Sequence, residues 1–157
     1  MAQIREILAV LNGTDRSPAI LAAAAMLAKS HGARMRALHV FDPTAGMYVT
    51  PEIAAAVQRS RERDAEAVAA AARSSGTTIA LDHDEIDPAR AALSRARLSD
   101  LVVIGQPDPD DFGDGRVDLT PRLLVGAATP VLSIPYAGEF PSFGRNALIA
   151  WTDSRES

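Results

Sequence analysis

The stretch REILAVLNGTDRSPAILAAAAMLAKSHG, residues 5–32, decides the fold. Residues 7–11 form a continuous apolar run closed by Asn-Gly, which is typical of a strand buried on both faces of a sheet. Ser17 and Pro18 predict a helix start, with the serine as N-cap and the proline at the first helical position. The alanine-rich pattern that follows predicts a helix that Gly32 ends. A buried strand followed directly by a helix is the repeating unit of a parallel α/β sheet.

The same alternation of apolar runs and helical patterns continues along the chain. Further strands are predicted at residues 33–41, 77–81, 101–104 and 131–134, and further helices at 50–74, 87–98 and 120–125. Each of these helices begins with a polar residue followed by proline, in Thr50-Pro51, Asp87-Pro88 and Thr120-Pro121. Strands that alternate with helices predict an α/β fold, an open parallel sheet with helices on both faces and right-handed crossovers.

Polar runs inside this pattern are interpreted as solvent-facing. The centre of the second helix, SRERDAE at residues 60–66, is predicted to be a solvated face, with Ala65 and Val68 on the apolar face. The run 82–85, DHDE, is predicted to be a connection between a strand and a helix. His39 lies near the end of a predicted strand, where we expect a packed or hydrogen-bonded core histidine.

Composition excludes several classes of function. The chain has 157 residues, one domain's length, with 47% hydrophobic and 23% charged residues, which is typical of a soluble globular protein. The net charge of −4 offers no basic face for nucleic acid. The absence of cysteine excludes disulfides and thiolate chemistry. No apolar run approaches the ~20 residues of a membrane span. We therefore expect a cytoplasmic protein.

Four features together resemble the universal stress protein family. They are Asn12-Gly13-Thr14 after the first strand, Leu38-His39-Val40 in the second, IDPARAALSRARLSDLVVIGQ at residues 86–106, and TPVLSIP at residues 129–135. The resemblance covers residues 5–136 in the family's order. It implies a five-stranded parallel sheet in the order 3-2-1-4-5, a cytoplasmic location, and dimers formed through the edge strand at Val131–Ile134.

In one branch of the family, the resemblance also implies an ATP or AMP site at the carboxyl ends of strands 1 and 4. Ligands of open α/β sheets bind where the strand order reverses, which is at that place. The candidate nucleotide-binding residues are Asn12, Gly13, Thr14, Val40 and Gly105. The cofactor of such a site would be ATP or AMP with Mg²⁺.

Two departures from the family's pattern argue against a bound nucleotide. Asn12 stands where nucleotide-binding members have an aspartate. The family's phosphate cradle is Gly, two residues, Gly, nine residues, Gly, then Ser or Thr, but here the second position is Asp108 and the last pair falls near Asp118-Leu119. The loop 106–118 carries five aspartates against Arg116 alone.

The charge of this loop opposes a triphosphate. Two unit charges ~4 Å apart repel by roughly 1 kcal/mol in water and ~4 kcal/mol at a partly screened surface. Several such contacts would cancel a micromolar affinity, which totals about 8 kcal/mol. We therefore expect a degenerate crevice that holds no cofactor.

Catalytic and metal sites are not predicted. Ser17 and Thr14 have no base beside them in sequence, so they are interpreted as cap and turn residues. Asp108 and Asp110 occupy positions 1 and 3 of a calcium-loop pattern, but Leu119 occupies position 12, where a bidentate carboxylate is required.

The last residues repeat the beginning of the chain. ALIAWTDSRES, residues 147–157, aligns with residues 7–17 by its apolar run and its hydroxyl residues. We therefore predict a domain at residues 1–136, a linker at 137–145, and the first strand and turn of a second repeat at 146–157. Because an apolar strand without a sheet must find an edge, this strand is expected to pair with an exposed sheet edge or to be disordered.

Two functions are compatible with these observations. The first is a non-catalytic stress-response module that acts through contacts with a second copy, a tandem repeat or another protein. The alternative is an ATP- or AMP-binding regulator, or a slow ATPase, that uses the crevice between strands 1 and 4.

Overall fold

Strands and helices alternate along the chain, as predicted. A computed structural model describes residues 3–41, 50–84, 87–108, 119–144 and 147–148. The strands are β1 (Glu6–Leu11), β2 (Arg34–Val40), β3 (Ile79–Asp84), β4 (Leu101–Gly105) and β5 (Val131–Ile134). The helices are α1 (Ser17–His31), α2 (Pro51–Ser75), α3 (Pro88–Ala96) and α4 (Thr120–Gly126). None of the described helices is long and apolar enough to cross a membrane.

The strands form one parallel sheet in the order β3-β2-β1-β4-β5, which confirms the predicted order. β1 lies at the centre, where Ile7 is level with Met35 of β2 on one side and with Leu101 of β4 on the other. The chain proceeds from β1 to β2 in one direction and later returns to β4 in the other. The strand order therefore reverses at β1, and the carboxyl ends of β1 and β4 open a crevice there.

The core consists of two layers, one on each face of the sheet. Because successive side chains of a strand point to opposite faces, Ile7, Ala9 and Leu11 of β1 pack with α1 and α2, whereas Leu8 and Val10 pack with α3 and α4. All five side chains are buried. This explains why the first strand is apolar at every position rather than at alternate ones.

Two of the predicted helix caps are confirmed. The Thr50 hydroxyl accepts a hydrogen bond from the backbone N–H of Ile53 at 3.3 Å. The Asp87 carboxylate accepts one from the backbone N–H of Arg90 at 2.9 Å. In both helices proline follows the cap at the first helical position, where its missing N–H costs no hydrogen bond.

The prediction that Ser17 caps α1 is wrong. The residue before the helix is Arg16, which makes no capping bond with its side chain. Ser17 lies one position inside the helix, fully buried, and its hydroxyl donates to the Asp64 carboxylate at 2.6 Å. A hydrogen bond to an ionised acceptor is about twice as strong as a neutral one, so the buried hydroxyl turns to the carboxylate.

The prediction of a solvated face at residues 60–66 is also wrong in part. Ser60 and Asp64 are buried, whereas Ala65, assigned to the apolar face, is exposed. Ser60, Asp64 and Val68 follow one another at intervals of four, so they share the face of α2 that lies on the sheet. A carboxylate can lie on that face because three donors surround it.

The run 82–84 belongs to β3 rather than to a connection. β2 supplies backbone partners as far as the pair Val40 and Asp84, so the ladder continues through the polar residues. Arg36 and Arg95 contact the Asp82 carboxylate, at 2.7 and 3.4 Å, and compensate its charge. Glu85 lies outside the described residues.

Candidate functional site

Three of the five candidate nucleotide-binding residues line one small cavity at the carboxyl ends of β1 and β4. Asn12, Val40 and Gly105 form its wall, together with Val10, Ile104, Gln106, Pro107, Leu119 and Thr120. Its volume among the described residues is about 40 Å³. One water takes roughly 30 Å³ of liquid, and ligand pockets usually enclose about 300–1,000 Å³. Residues 109–118, most of the acidic loop, lie outside the described residues.

The other two candidates lie elsewhere. The Thr14 hydroxyl accepts from the backbone N–H of Arg16 at 3.3 Å, so it supports the turn after β1, as expected of a turn residue. Gly13 lines a different cavity, on the face of the sheet that α2 covers. Asn12 lines both cavities and therefore lies between them.

A fully buried carboxylate, Asp64 of α2, holds the turn after β1 in place. Its Oδ2 accepts the backbone N–H of Gly13 at 2.9 Å and lies 2.7 Å from Nδ1 of His39. Its Oδ1 accepts the hydroxyl of Ser17 at 2.6 Å. The three donors come from the end of β1, the end of β2 and the start of α1. One side chain therefore connects three elements to α2, and we call these four residues the Asp64 network.

His39 is the buried, hydrogen-bonded core histidine that the sequence predicts. Since an ionised Asp64 can only accept, Nδ1 of His39 must carry a proton to donate to it. Nε2 is buried and has no hydrogen-bond partner among the described residues. The His83 ring lies edge-on at a centroid distance of 5.8 Å.

Gly13 must be a glycine because α2 approaches its backbone closely. Its φ is +67°, and a Cβ built there would lie 1.8 Å from the Ser60 hydroxyl oxygen. The carbonyl of Gly13 accepts from Nη1 of Arg63 at 2.6 Å, while its N–H donates to Asp64. Both backbone groups of Gly13 are therefore held by neighbouring residues of α2.

The Asp64 network lacks the geometry of a nucleophilic triad. In a triad, a histidine lies between the nucleophile and the carboxylate. Here the carboxylate lies between the Ser17 hydroxyl and the His39 ring, and all three side chains are fully buried. The network can fix backbone positions, but it cannot present a nucleophile to a substrate.

Sequence reasoning missed Asp64 and Ser60, although a signal was available. Ile53, Val57 and Val68 are apolar residues of α2, and a helical face drawn through them in steps of three and four also passes through Ser60 and Asp64. A carboxylate that interrupts an apolar face predicts either a charged partner or several donors beneath it.

Other ion pairs and carboxylate contacts lie away from the crevice. Asp100 accepts the backbone N–H groups of Arg5 and Glu6, at 2.7 and 3.0 Å, and these hydrogen bonds lower its pKa. They join the start of β4 to the start of β1, at the end of the sheet opposite to the crevice. In the described parts of the chain, no group of three or more histidines and carboxylates could hold a metal ion.

Burial raises the pKa of Asp82, but the hydrogen bonds and positive charges of Arg36 and Arg95 outweigh it. The pKa of this carboxyl is therefore lowered. Asp82 is a structural ion-pair partner on β3, and it takes no part in the crevice.

Comparison with known proteins finds one family model and several solved structures that are similar to this chain. A model of the universal stress protein family matches residues 3–127. A universal-stress-family protein from Burkholderia pseudomallei is similar in structure, with 29% identity, a TM-score of 0.58, and coverage of 86% of this chain and 98% of that one. A comparison with curated proteins finds no match.

Two further solved structures share the fold at lower identity. UspA from Lactobacillus plantarum has 20% identity and a TM-score of 0.62, covering 85% of this chain and 99% of that one. The universal stress protein from Archaeoglobus fulgidus in complex with dAMP has 22% identity and a TM-score of 0.56, covering 85% and 98%.

Proposed function

Because the chain belongs to the universal stress protein family, we propose that it is a non-catalytic stress-response module of the cytoplasm. It acts through contacts between protein chains, and its nucleotide crevice is degenerate. The observation that carries this proposal is the crevice itself. Asn12, Val40 and Gly105 surround about 40 Å³, far less than a nucleotide requires.

Charge supports the same proposal. The loop that follows β4 carries five aspartates against one arginine between residues 106 and 118. Phosphate groups at the carboxyl end of β4 would approach this loop, and each close pair of like charges costs roughly 1–4 kcal/mol. The spacing of Gly105, Gly113 and Gly115 also differs from the cradle of the nucleotide-binding members.

The alternative function is binding of an adenine nucleotide. It is favoured by the shared cavity wall of Asn12, Val40 and Gly105, and by the dAMP complex of the Archaeoglobus fulgidus neighbour. The Asn12 amide can both donate and accept hydrogen bonds, so it could replace part of the recognition by an aspartate.

Isothermal titration with ATP and with AMP, each with and without Mg²⁺, separates the two functions. The degenerate crevice predicts no saturable heat at millimolar nucleotide. Saturable binding tighter than about 100 μM, about 5.5 kcal/mol, would establish the alternative. Val40→Trp, which fills the cavity, is the matched control. It should abolish any binding at the crevice and leave binding elsewhere unchanged.

The proposed contact between chains is the edge strand β5, Val131–Ile134. An edge strand leaves backbone N–H and C=O groups unpaired on one side, and these can pair with a second strand. α4 contacts β5 and leaves Leu124 64% and Val125 91% exposed. Exposed aliphatic side chains beside a strand that ends the described sheet favour a homodimer or a tandem partner at this place.

Sedimentation velocity tests this contact. Wild type is expected to sediment as a dimer, and Val125→Glu is expected to weaken the dimer. Leu98→Glu is the control, since Leu98 is 79% exposed but follows α3 rather than lying beside β5. A wild-type protein that remains monomeric at high concentration would contradict the proposal, as would equal effects of the two variants.

We also propose that residues 146–157 are the first strand and turn of a second repeat and that they pair with a sheet edge. Deleting residues 146–157 is expected to alter the oligomeric state or to lower stability. The deletion must begin after residue 145, because the segment before it makes contacts of its own with the domain. The carbonyl of Gly138 accepts a hydrogen bond from the Arg16 guanidinium at 3.2 Å, and Phe143 packs against the core. A longer deletion would also remove these contacts. No change after the shorter deletion would refute the pairing.

A further inference from the structure

A second cavity lies beside Gly13, where the turn after β1 meets α2. Its volume is about 120 Å³, and it is lined by Asn12, Gly13, Phe41, Ala56, Arg59, Ser60 and Arg63. It lies on the opposite face of the sheet from the nucleotide crevice, and the proposed function does not involve it. We propose that this cavity is a binding site for a small tetrahedral oxyanion, with inorganic phosphate as its simplest ligand.

Two arginines converge on this cavity. Arg59 and Arg63 are four residues apart on α2, so their side chains lie on the same side of the helix. Like charges at this spacing repel each other and destabilise a helix slightly. An anion between them would turn that repulsion into attraction. A guanidinium stays charged at any physiological pH and presents paired N–H donors that match the oxygens of a phosphate.

The two guanidinium groups have complementary roles. Nη1 of Arg63 donates to the carbonyl of Gly13 at 2.6 Å, which fixes the position of this side chain and leaves its other donors available. Arg59 makes no hydrogen bond or ion pair with another described residue. The site therefore combines one positioned donor group with a second whose donors make no hydrogen bond with another described residue.

The Ser60 hydroxyl is a further observation that points to a ligand. Ser60 is only 6% exposed, yet its hydroxyl has no hydrogen-bond partner among the described residues. Buried polar groups without a partner are rare, because each costs about 1–3 kcal/mol. Ser60 lies between the two arginines on the cavity wall, and a rotation about its Cα–Cβ bond would direct the hydroxyl to a ligand oxygen.

Size and charge select the class of ligand. At roughly 30 Å³ for each water-sized group, 120 Å³ holds about four oxygens, the number in phosphate or sulfate. None of the described residues that line the cavity is acidic. Of the two carboxylates next to Arg63 in sequence, Asp64 is fully buried and already accepts from Gly13, Ser17 and His39. The other, Glu62, is exposed and accepts from the Gln58 amide. This volume suits a small oxyanion better than a whole nucleotide.

The test is a phosphate titration followed by ¹H–¹⁵N NMR, with sodium chloride at matched ionic strength as the reference. Saturable shifts of the Gly13 and Ser60 amides are expected with phosphate and not with chloride. Arg59→Gln should weaken binding about tenfold. Arg73→Gln, at the exposed end of the same helix, should leave it unchanged. Arg59 is preferred to Arg63 for the test, because Arg63 also supports the turn.

Thermal unfolding supplies a second measurement. Phosphate should raise the Tm of wild type but not that of Arg59→Gln, and in phosphate-free buffer Arg59→Gln should be at least as stable as wild type, because the repulsion is relieved. The proposal is overturned if phosphate shifts no amide saturably, if chloride gives the same shifts, or if Arg59→Gln binds like wild type. Binding of AMP without binding of phosphate would also overturn it and would instead support the crevice.

Discussion

The most direct test of the fold is the replacement of Asp64. Asp64→Ala removes the acceptor of three buried donors, the Gly13 N–H, the Ser17 hydroxyl and Nδ1 of His39. Each unsatisfied buried donor costs about 1–3 kcal/mol, and Asp64→Ala leaves three of them. We expect Asp64→Ala to lower the free energy of unfolding by about 3–5 kcal/mol, a large part of the usual 5–15 kcal/mol.

Asp64→Asn distinguishes the lost charge from the lost hydrogen bonds. With its amide oxygen in the place of Oδ2, the asparagine still accepts from Gly13 and His39, and its NH₂ group can donate to the Ser17 oxygen. The substitution removes the negative charge that strengthens these hydrogen bonds. It also leaves the Ser17 hydroxyl proton without an acceptor. We expect a cost of about 1–2 kcal/mol. Ser17→Ala, which removes one donor, should cost about 1 kcal/mol.

Urea denaturation followed by far-UV circular dichroism gives these values. Glu66→Ala is the matched control, because Glu66 is an exposed carboxylate two positions along the same helix, and its effect should stay within about 0.5 kcal/mol. Ser17→Ala and Asp64→Asn should not be additive when combined, since the two side chains share a hydrogen bond. If Asp64→Ala costs no more than Glu66→Ala, the reasoning about the Asp64 network is refuted.

Two further perturbations test the packing at Gly13 and the ion pairs of β3. Gly13→Ala and Gly32→Ala both place a side chain at positive φ, but only Gly13 has an atom in the way. We expect about 1 kcal/mol at Gly32 and about 1–3 kcal/mol more at Gly13, and equal losses in urea denaturation would contradict the clash with Ser60. The lowered pKa of Asp82 stabilises the fold above its ordinary value of about 3.9, and this stabilisation is lost as the pH falls through the folded value. Asp82→Asn should therefore lose less stability than wild type between pH 5 and pH 3, and parallel stability curves would exclude this contribution.

The alternation of strands and helices could be predicted because each element carries its own local signal. Residues 7–11 are apolar throughout, Gly32 and Gly76 end helices at positive φ, and proline marks the first turn of each helix. These signals depend on backbone geometry within a few residues, so a single sequence contains them. The strand order came from the resemblance, because no local signal states which strands lie next to each other.

The polar interior could not be predicted in the same way. Whether Asp64 lies in water or in the core depends on Gly13, Ser17 and His39, which are 51, 47 and 25 residues away in sequence. In the sequence, each of these three residues also fits an ordinary local position, in a turn, a helix cap or a strand. Only the folded arrangement shows that they donate to one carboxylate. The sequence around Ser17 therefore predicts a helix cap, because a cap depends only on neighbouring residues.

The turn after β1 contacts the cavities on both faces of the sheet. Asn12 lines the crevice on one face and the arginine-lined cavity on the other, and both backbone groups of Gly13 are held from α2. A ligand in one cavity can influence the other only if it moves this turn. Asp64 and Arg63 fix the turn at two points, so in the intact protein phosphate should not alter the affinity of the crevice for any ligand. Coupling should arise only when the Asp64 network is broken. The NMR shifts of Gly105, which lines the crevice but not the arginine-lined cavity, in Asp64→Asn with and without phosphate would reveal it.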